Sequence, residues 1–77
     1  MPQKFRIHKS REVISALEEV GFIVVSQKGS HKKLEYQNRH ITVPNHDELS
    51  IGTLNSIFKE AKQKSGKDEE INRLFLN

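Results

Sequence analysis

Apolar residues along the chain fall into helical stripes on either side of a stretch that alternates every second residue. Val13, Ile14, Leu17 and Val20 stand at i, i+1, i+4 and i+7, one face of a helix. Ser10 is placed to cap it, Glu12 complements the dipole in the first turn, and Gly21 ends it. From Phe22 to Lys28 the residues are first aromatic and β-branched, then polar, which predicts a strand. Gly29-Ser30 is a turn, and His31 to Tyr36 predicts a second strand with Leu34 and Tyr36 on one face and His31, Lys33 and Glu35 on the other. Gln37-Asn38-Arg39 predicts a further turn. His40 to Val43 predicts a third strand that Pro44 stops. Connections this short imply an antiparallel meander.

Asn45 to Leu49 is a loop. Ser50 is placed to cap a second helix, whose buried stripe is Leu54, Ile57, Phe58 and Ala61, with Gly52 in its first turn. Gln63 to Lys67 is a polar hinge containing Ser65-Gly66. A short third helix follows from about Asp68, with Asp68, Glu69 and Glu70 at its start and Ile71, Leu74 and Phe75 on one face. The chain is expected to form one α+β domain, 1–77, with its core in about 10–62. Residues 1–9 are then an N-terminal extension that leaves His8 unanchored, and 63–77 a hinge and tail helix. With one apolar face per element, the helices should cover one side of the sheet and leave the other open. This is also the order of double-stranded-RNA-binding domains, which read RNA by shape and backbone. The analogy is one of fold alone.

Composition adds limits. Leu, Ile, Val and Phe make up 22 of 77 residues, enough for a folded chain with a thin core. The absence of cysteine excludes disulfides, thiolate metal sites and cysteine nucleophiles. No apolar run approaches a membrane span and no signal-peptide core follows Met1, so a soluble cytoplasmic protein is expected. The net charge of +3 matters less than its placement. Lys4, Arg6, Lys9 and Arg11 stand without an acid in the first eleven residues, and Lys28, Lys32, Lys33 and Arg39 stand against Glu35 alone. A charge run is ordinarily a solvated face. Two positive segments in so short a chain favour a nucleic acid over a neutral substrate.

Of the four histidines, His31 has the most suggestive neighbours. It follows Gly29-Ser30, whose backbone amides and hydroxyl can approach a ligand, and Lys28, Lys32 and Lys33 flank it. RNA carries its own nucleophile in the 2′-OH. A protein that cuts it needs a proton carrier near neutral pH and cations to offset charge in the transition state. Histidine and lysine suit these roles, although the same turn could simply contact phosphate. His46, after Pro44-Asn45, is a second proton carrier, a phosphate contact or a solvated loop residue beside Asp47 and Glu48. Neither His40, on the outer face of the third strand, nor His8 has an evident role. No i, i+4 histidine pair or three-carboxylate cluster suggests a metal site, and no glycine-rich nucleotide loop is present. Phe22 and Phe58 are expected in the core, and Tyr36 fits either the core or a base-stacking role.

Ser10-Arg11-Glu12-Val13-Ile14, Gly21-Phe22, Gln27-Lys28-Gly29-Ser30-His31, Thr42-Val43-Pro44-Asn45-His46, Glu48-Leu49 and Gly52-Thr53-Leu54 occur in the order and spacing of HicA-type toxins. These resemble small mRNA interferases of bacterial type II toxin–antitoxin systems over about Ser10 to Ala61. The resemblance implies a double-stranded-RNA-binding-like fold and metal-independent endonuclease activity on mRNA, with no cofactor. It also implies a HicB-type antitoxin that masks the active surface. The family's catalytic histidine falls on His31, and Lys28, Gly29, Ser30, Lys32, Lys33 and His46 become the RNA-binding residues. This chain departs from the pattern in three places. Lys32 stands where many members have a second histidine. Lys62 replaces a glycine often found after the alanine of the second helix, which frees that helix to run to Ser65. The first eight or so residues precede the common start. Two other classes remain open beside the toxin: a non-catalytic RNA-binding module, and a domain that only binds a protein through its open sheet face.

Overall fold

The computed structural model describes residues 4–77. Its elements run α1 (Ser10–Val20), β1 (Ile23–Lys28), β2 (His31–Tyr36), β3 (Arg39–Pro44), α2 (Ile51–Ser65) and α3 (Asp68–Phe75). The α+β order is the one expected, and the strands form an antiparallel sheet in the order β1-β2-β3.

The local chemistry accounts for the element ends. Ser10 was expected as the N-cap of α1, but Lys9 takes that position and Ser10 lies inside the helix, buried. The cap comes from Glu12, whose carboxylate reaches back to accept from the amides of His8 at 3.1 Å and Lys9 at 3.0 Å. At the other end Gly21 has φ +126, and a Cβ there would lie 3.0 Å from the Tyr36 ring. Gln37 and Asn38 both have positive φ, so the second hairpin closes in two residues. Arg39 therefore opens β3 opposite Tyr36 and is not part of the turn. Ser50 caps α2, accepting from the Thr53 amide, and α2 continues to Ser65 before the left-handed Gly66.

Leu34, Ile41 and Val43 of the sheet meet Val13, Leu17 and Val20 of α1 and Leu54, Ile57, Phe58 and Ala61 of α2 in one core. Phe22, just ahead of β1, is buried too, its ring 5.2 Å from that of Tyr36. β1 itself is exposed along its length, and a bulge between Val24 and Ser26 shifts its register. Ile23, at 63% exposure, and Val24 and Val25 leave an apolar outer strand.

The core extends beyond the expected 10–62. Phe5, Ile7, Ile71 and Phe75 belong to the same buried cluster. Phe5 bridges to Leu76 across the two ends of the chain, with Arg6 N donating to Phe75 O at 2.8 Å and Asn77 N to Lys4 O at 3.0 Å. His8 is anchored as well, since its carbonyl accepts from Leu49 N at 2.8 Å. A core this thin gains from every large side chain, and burying a Phe or Ile contributes about 1.5–3 kcal/mol. That favours drawing both chain ends onto the helices. The start of the extension, residues 1–3, lies outside the described residues.

Candidate functional site

Strand register determines which of the candidate residues can act together. Directly paired residues share a face of the sheet, and neighbours along a strand alternate. His31 pairs with Lys28 on one side and Pro44 on the other, while Lys33 pairs with Ser26 and Thr42. Lys28, His31 and Lys33 therefore occupy one end of the open face, and all three are exposed. Lys32 pairs with Gln27 and with the buried Val43, which assigns it to the opposite, helix-covered side, and it is only half-exposed. Two of the three lysines around His31 thus share its face.

Gly29 has φ +56, a conformation that glycine adopts without strain, and its missing side chain leaves open space above the turn. Ser30 is exposed, and its carbonyl accepts from Asn45 N at 2.5 Å. This bond fastens the Gly29-Ser30-His31 turn to the loop that carries His46. The two sequence-predicted histidines come from separate loops stapled at one end of the sheet. At the far end of the open face, His40 Nε2 stands 3.4 Å from Glu35 Oε1.

His46 lines a cleft of about 510 Å³ together with Lys9, Ser10, Arg11, Asn45 and Asp47. Sequence reasoning noted the basic run before α1 but assigned it no site, because nothing local shows that the loop after β3 folds against it. Conversely, Arg39, counted toward a polyanion surface, serves the fold, as do Lys64 and Lys67. The Arg39 guanidinium donates to Gln63 O at 3.3 Å, and Lys64 Nζ donates to His40 O at 2.6 Å. Lys67 Nζ donates to Val20 O at 3.2 Å and lies over the Tyr36 ring, which places Tyr36 in packing.

The Glu12 carboxyl has a displaced equilibrium. Hydrogen bonds from the Lys9 and His8 amides hold its carboxyl below the usual carboxylate range, with Lys9 and Arg11 adding attraction. Among the described residues no three His, Asp or Glu side chains gather into a metal-binding group, and no helix is long and apolar enough to cross a membrane. Chemically, the open-face end offers an imidazole, two ammonium groups and a glycine turn that a backbone phosphate can approach closely.

Comparison with curated proteins and with solved structures returned no match. The family model for the HicA toxin of bacterial toxin–antitoxin systems matches residues 10–63, from the first residue of α1 almost to the end of α2. That span holds the whole sheet, the Gly29-Ser30-His31 turn and the His46 loop, and it is most of the chain. The chain belongs to the HicA toxin family.

Proposed function

We propose that this HicA toxin is a cytoplasmic, metal-independent endoribonuclease that cuts mRNA with His31 as its proton-transfer residue. The observation that carries the reading is the register that sets His31 between Lys28 and Pro44, on the same open face as Lys33. In the mechanism this favours, a ribose 2′-OH attacks the adjacent phosphorus. The His31 imidazole takes up the hydroxyl proton or delivers one to the departing 5′ oxygen. Lys28 and Lys33 offset charge on the phosphorane-like transition state, and Gly29 and Ser30 let the backbone approach the phosphate. His46, joined to the turn through Asn45, extends the RNA contact, whereas Lys32, in the central strand and on the opposite face, does not share the open surface with His31. A HicB-type antitoxin would inhibit by covering the open face.

The test is cleavage of RNA by purified toxin in EDTA, compared with His31→Ala. General acid–base catalysis contributes about 10²–10⁴-fold, so the variant should lose at least that much activity. Its fold should persist, because His31 is exposed at a strand end. Full activity in the variant would overturn the role of His31. RNA binding without cleavage by the parent protein would leave the non-catalytic RNA-binding module instead.

A further inference from the structure

The cleft beside the Gly29-Ser30-His31 turn enters the mechanism above only through His46, and its other walls suit a definite ligand. Lys9 and Arg11 contribute two cationic groups, His46 an imidazole, Asn45 an amide and Ser10 a hydroxyl, against the single carboxylate of Asp47. Of the two acids next in sequence to these residues, Glu12 is turned back onto the amides of His8 and Lys9, and Glu48 is exposed beside Asp47 without lining the cleft. Ser10 is the one buried polar side chain among the described residues, 2% exposed. Its hydroxyl has a single long contact, 3.5 Å from Asn45 Oδ1, which leaves it hydrogen-bonding capacity beside the cleft. The basic walls are also exposed: Lys9 and Arg11 make no ion pair among the described residues. Asn45 lines the cleft and its backbone amide fastens the Ser30 carbonyl, so the cleft adjoins the turn that carries His31.

We propose that this cleft is a second RNA subsite, in which Lys9 and Arg11 hold a backbone phosphate next to the scissile one. The inference rests on the RNA-cutting reading and adds to it a binding site for the flanking nucleotide. The cleft volume of about 510 Å³ is of the size that takes a small-molecule-sized group, and a phosphate with its sugar falls within it. The position also gives a direction to the substrate. RNA leaving the scissile position at His31 passes the His46 loop and reaches the start of α1, so that the strand runs off the sheet end and not along β1.

The experiment uses the full chain carrying His31→Ala, which keeps the probe intact, and a short fluorescein-labelled single-stranded RNA read by fluorescence anisotropy. Adding Lys9→Gln and Arg11→Gln should weaken binding roughly tenfold, the order for two solvent-facing charge contacts. The slope of log affinity against log salt should become shallower by about 0.7, the value for one neutralised phosphate on a single strand. A charge-matched control, Lys4→Gln with Lys59→Gln on other surfaces, should change both quantities much less. In the cleaving background the Lys9 and Arg11 changes should raise KM more than they lower kcat. Circular dichroism checks that α1 persists in these variants, as expected for two exposed side chains. Equal loss in the cleft and control variants would overturn the subsite while leaving RNA binding in place. If the parent neither binds nor cuts RNA, the subsite and the nuclease reading fall together.

Discussion

Replacing Phe5 with alanine should bring the protein close to unfolding, although Phe5 precedes both α1 and the region that the family model covers. The side chain is 6% exposed, and its ring meets that of Phe58 edge-on with centroids 5.5 Å apart. Phe58 in turn lies 5.7 Å from Phe75, so the three rings join the N-terminal segment, α2 and α3. Truncating a buried Phe to Ala ordinarily costs about 3–5 kcal/mol, of which the edge-to-face contact is ~0.5–1.5. A domain of 77 residues has a total stability of about 4–12 kcal/mol. The loss is therefore between a quarter of the stability and all of it. Urea unfolding followed by circular dichroism is the assay. With a slope near 1.5–2 kcal/mol/M, the midpoint should fall by roughly 2 M, or the variant should be unfolded in buffer. Ile51→Ala, at an apolar position that is 62% exposed, serves as the comparison and should shift stability by less than about 0.5 kcal/mol. A Phe5→Ala protein within about 1 kcal/mol of the parent would refute the claim that the N-terminal segment closes the core.

Three further outcomes are expected. Glu12 is held below the usual carboxylate range by the Lys9 and His8 amides, so its folded-state equilibrium is depressed. Its contribution to α1 is present at and above that range and is lost as pH falls through the depressed value; Glu12→Gln should flatten this acid-side dependence in a series of melts taken at stepped pH. Gly21→Ala should destabilise by about 1–3 kcal/mol, because φ +126 is strained for alanine and its Cβ would press on Tyr36 at 3.0 Å; an unchanged denaturation midpoint would contradict this. Lys32→His, which installs the second histidine of many relatives, should leave the cleavage rate unchanged, since that position pairs with Gln27 and Val43 and lies on the face opposite His31; a clear gain in rate would show that the two side chains do cooperate.

The regular part of this fold was legible because its signals are local. Val13, Ile14, Leu17 and Val20 share a helical face whatever they pack on, and Leu54, Ile57, Phe58 and Ala61 do the same in α2; all eight are buried. Alternation along β2 correctly placed His31 and Lys33 together and Leu34 against the core. What escaped was non-local. Phe5 and Ile7 read as the start of a loose extension because their partners, Phe58, Phe75 and Leu76, lie more than fifty positions away. Ser10 has the ordinary chemistry of a cap, yet Glu12 supplies the cap from within the helix and Ser10 is enclosed against Asn45. The strand signal of Ile23, Val24 and Val25 did not show that β1 is exposed along its length. For the site, the Gly-Ser-His turn was visible in sequence. The cleft was not, since it needs the β3–α2 loop to fold back on α1.

These placements separate what holds the domain together from the residues of the proposed site. The buried residues lie in the helices, the inner face of the sheet and the paired chain ends. Lys28, Gly29, Ser30, His31, Lys33 and His46 are exposed at one end of the sheet. Their arrangement depends on three backbone features and not on the packing of the site side chains themselves: the positive φ of Gly29, Pro44 ending β3, and the bond from Asn45 N to Ser30 O. Substitutions of exposed site residues should thus remove activity at nearly unchanged stability, as such positions usually move stability by less than ~0.5 kcal/mol. Core substitutions should do the reverse, lowering the folded fraction while the molecules that remain folded keep the parent's specific activity in the proposed RNA-cleavage assay. Gly29 belongs to both groups. An alanine there meets no neighbouring atom within 4 Å, so its cost comes from the backbone alone, and the same Cβ occupies the space through which a phosphate would approach His31. Gly29→Ala should therefore lose cleavage far more than it loses stability, and equal retention of both would show that the turn does not contact the substrate.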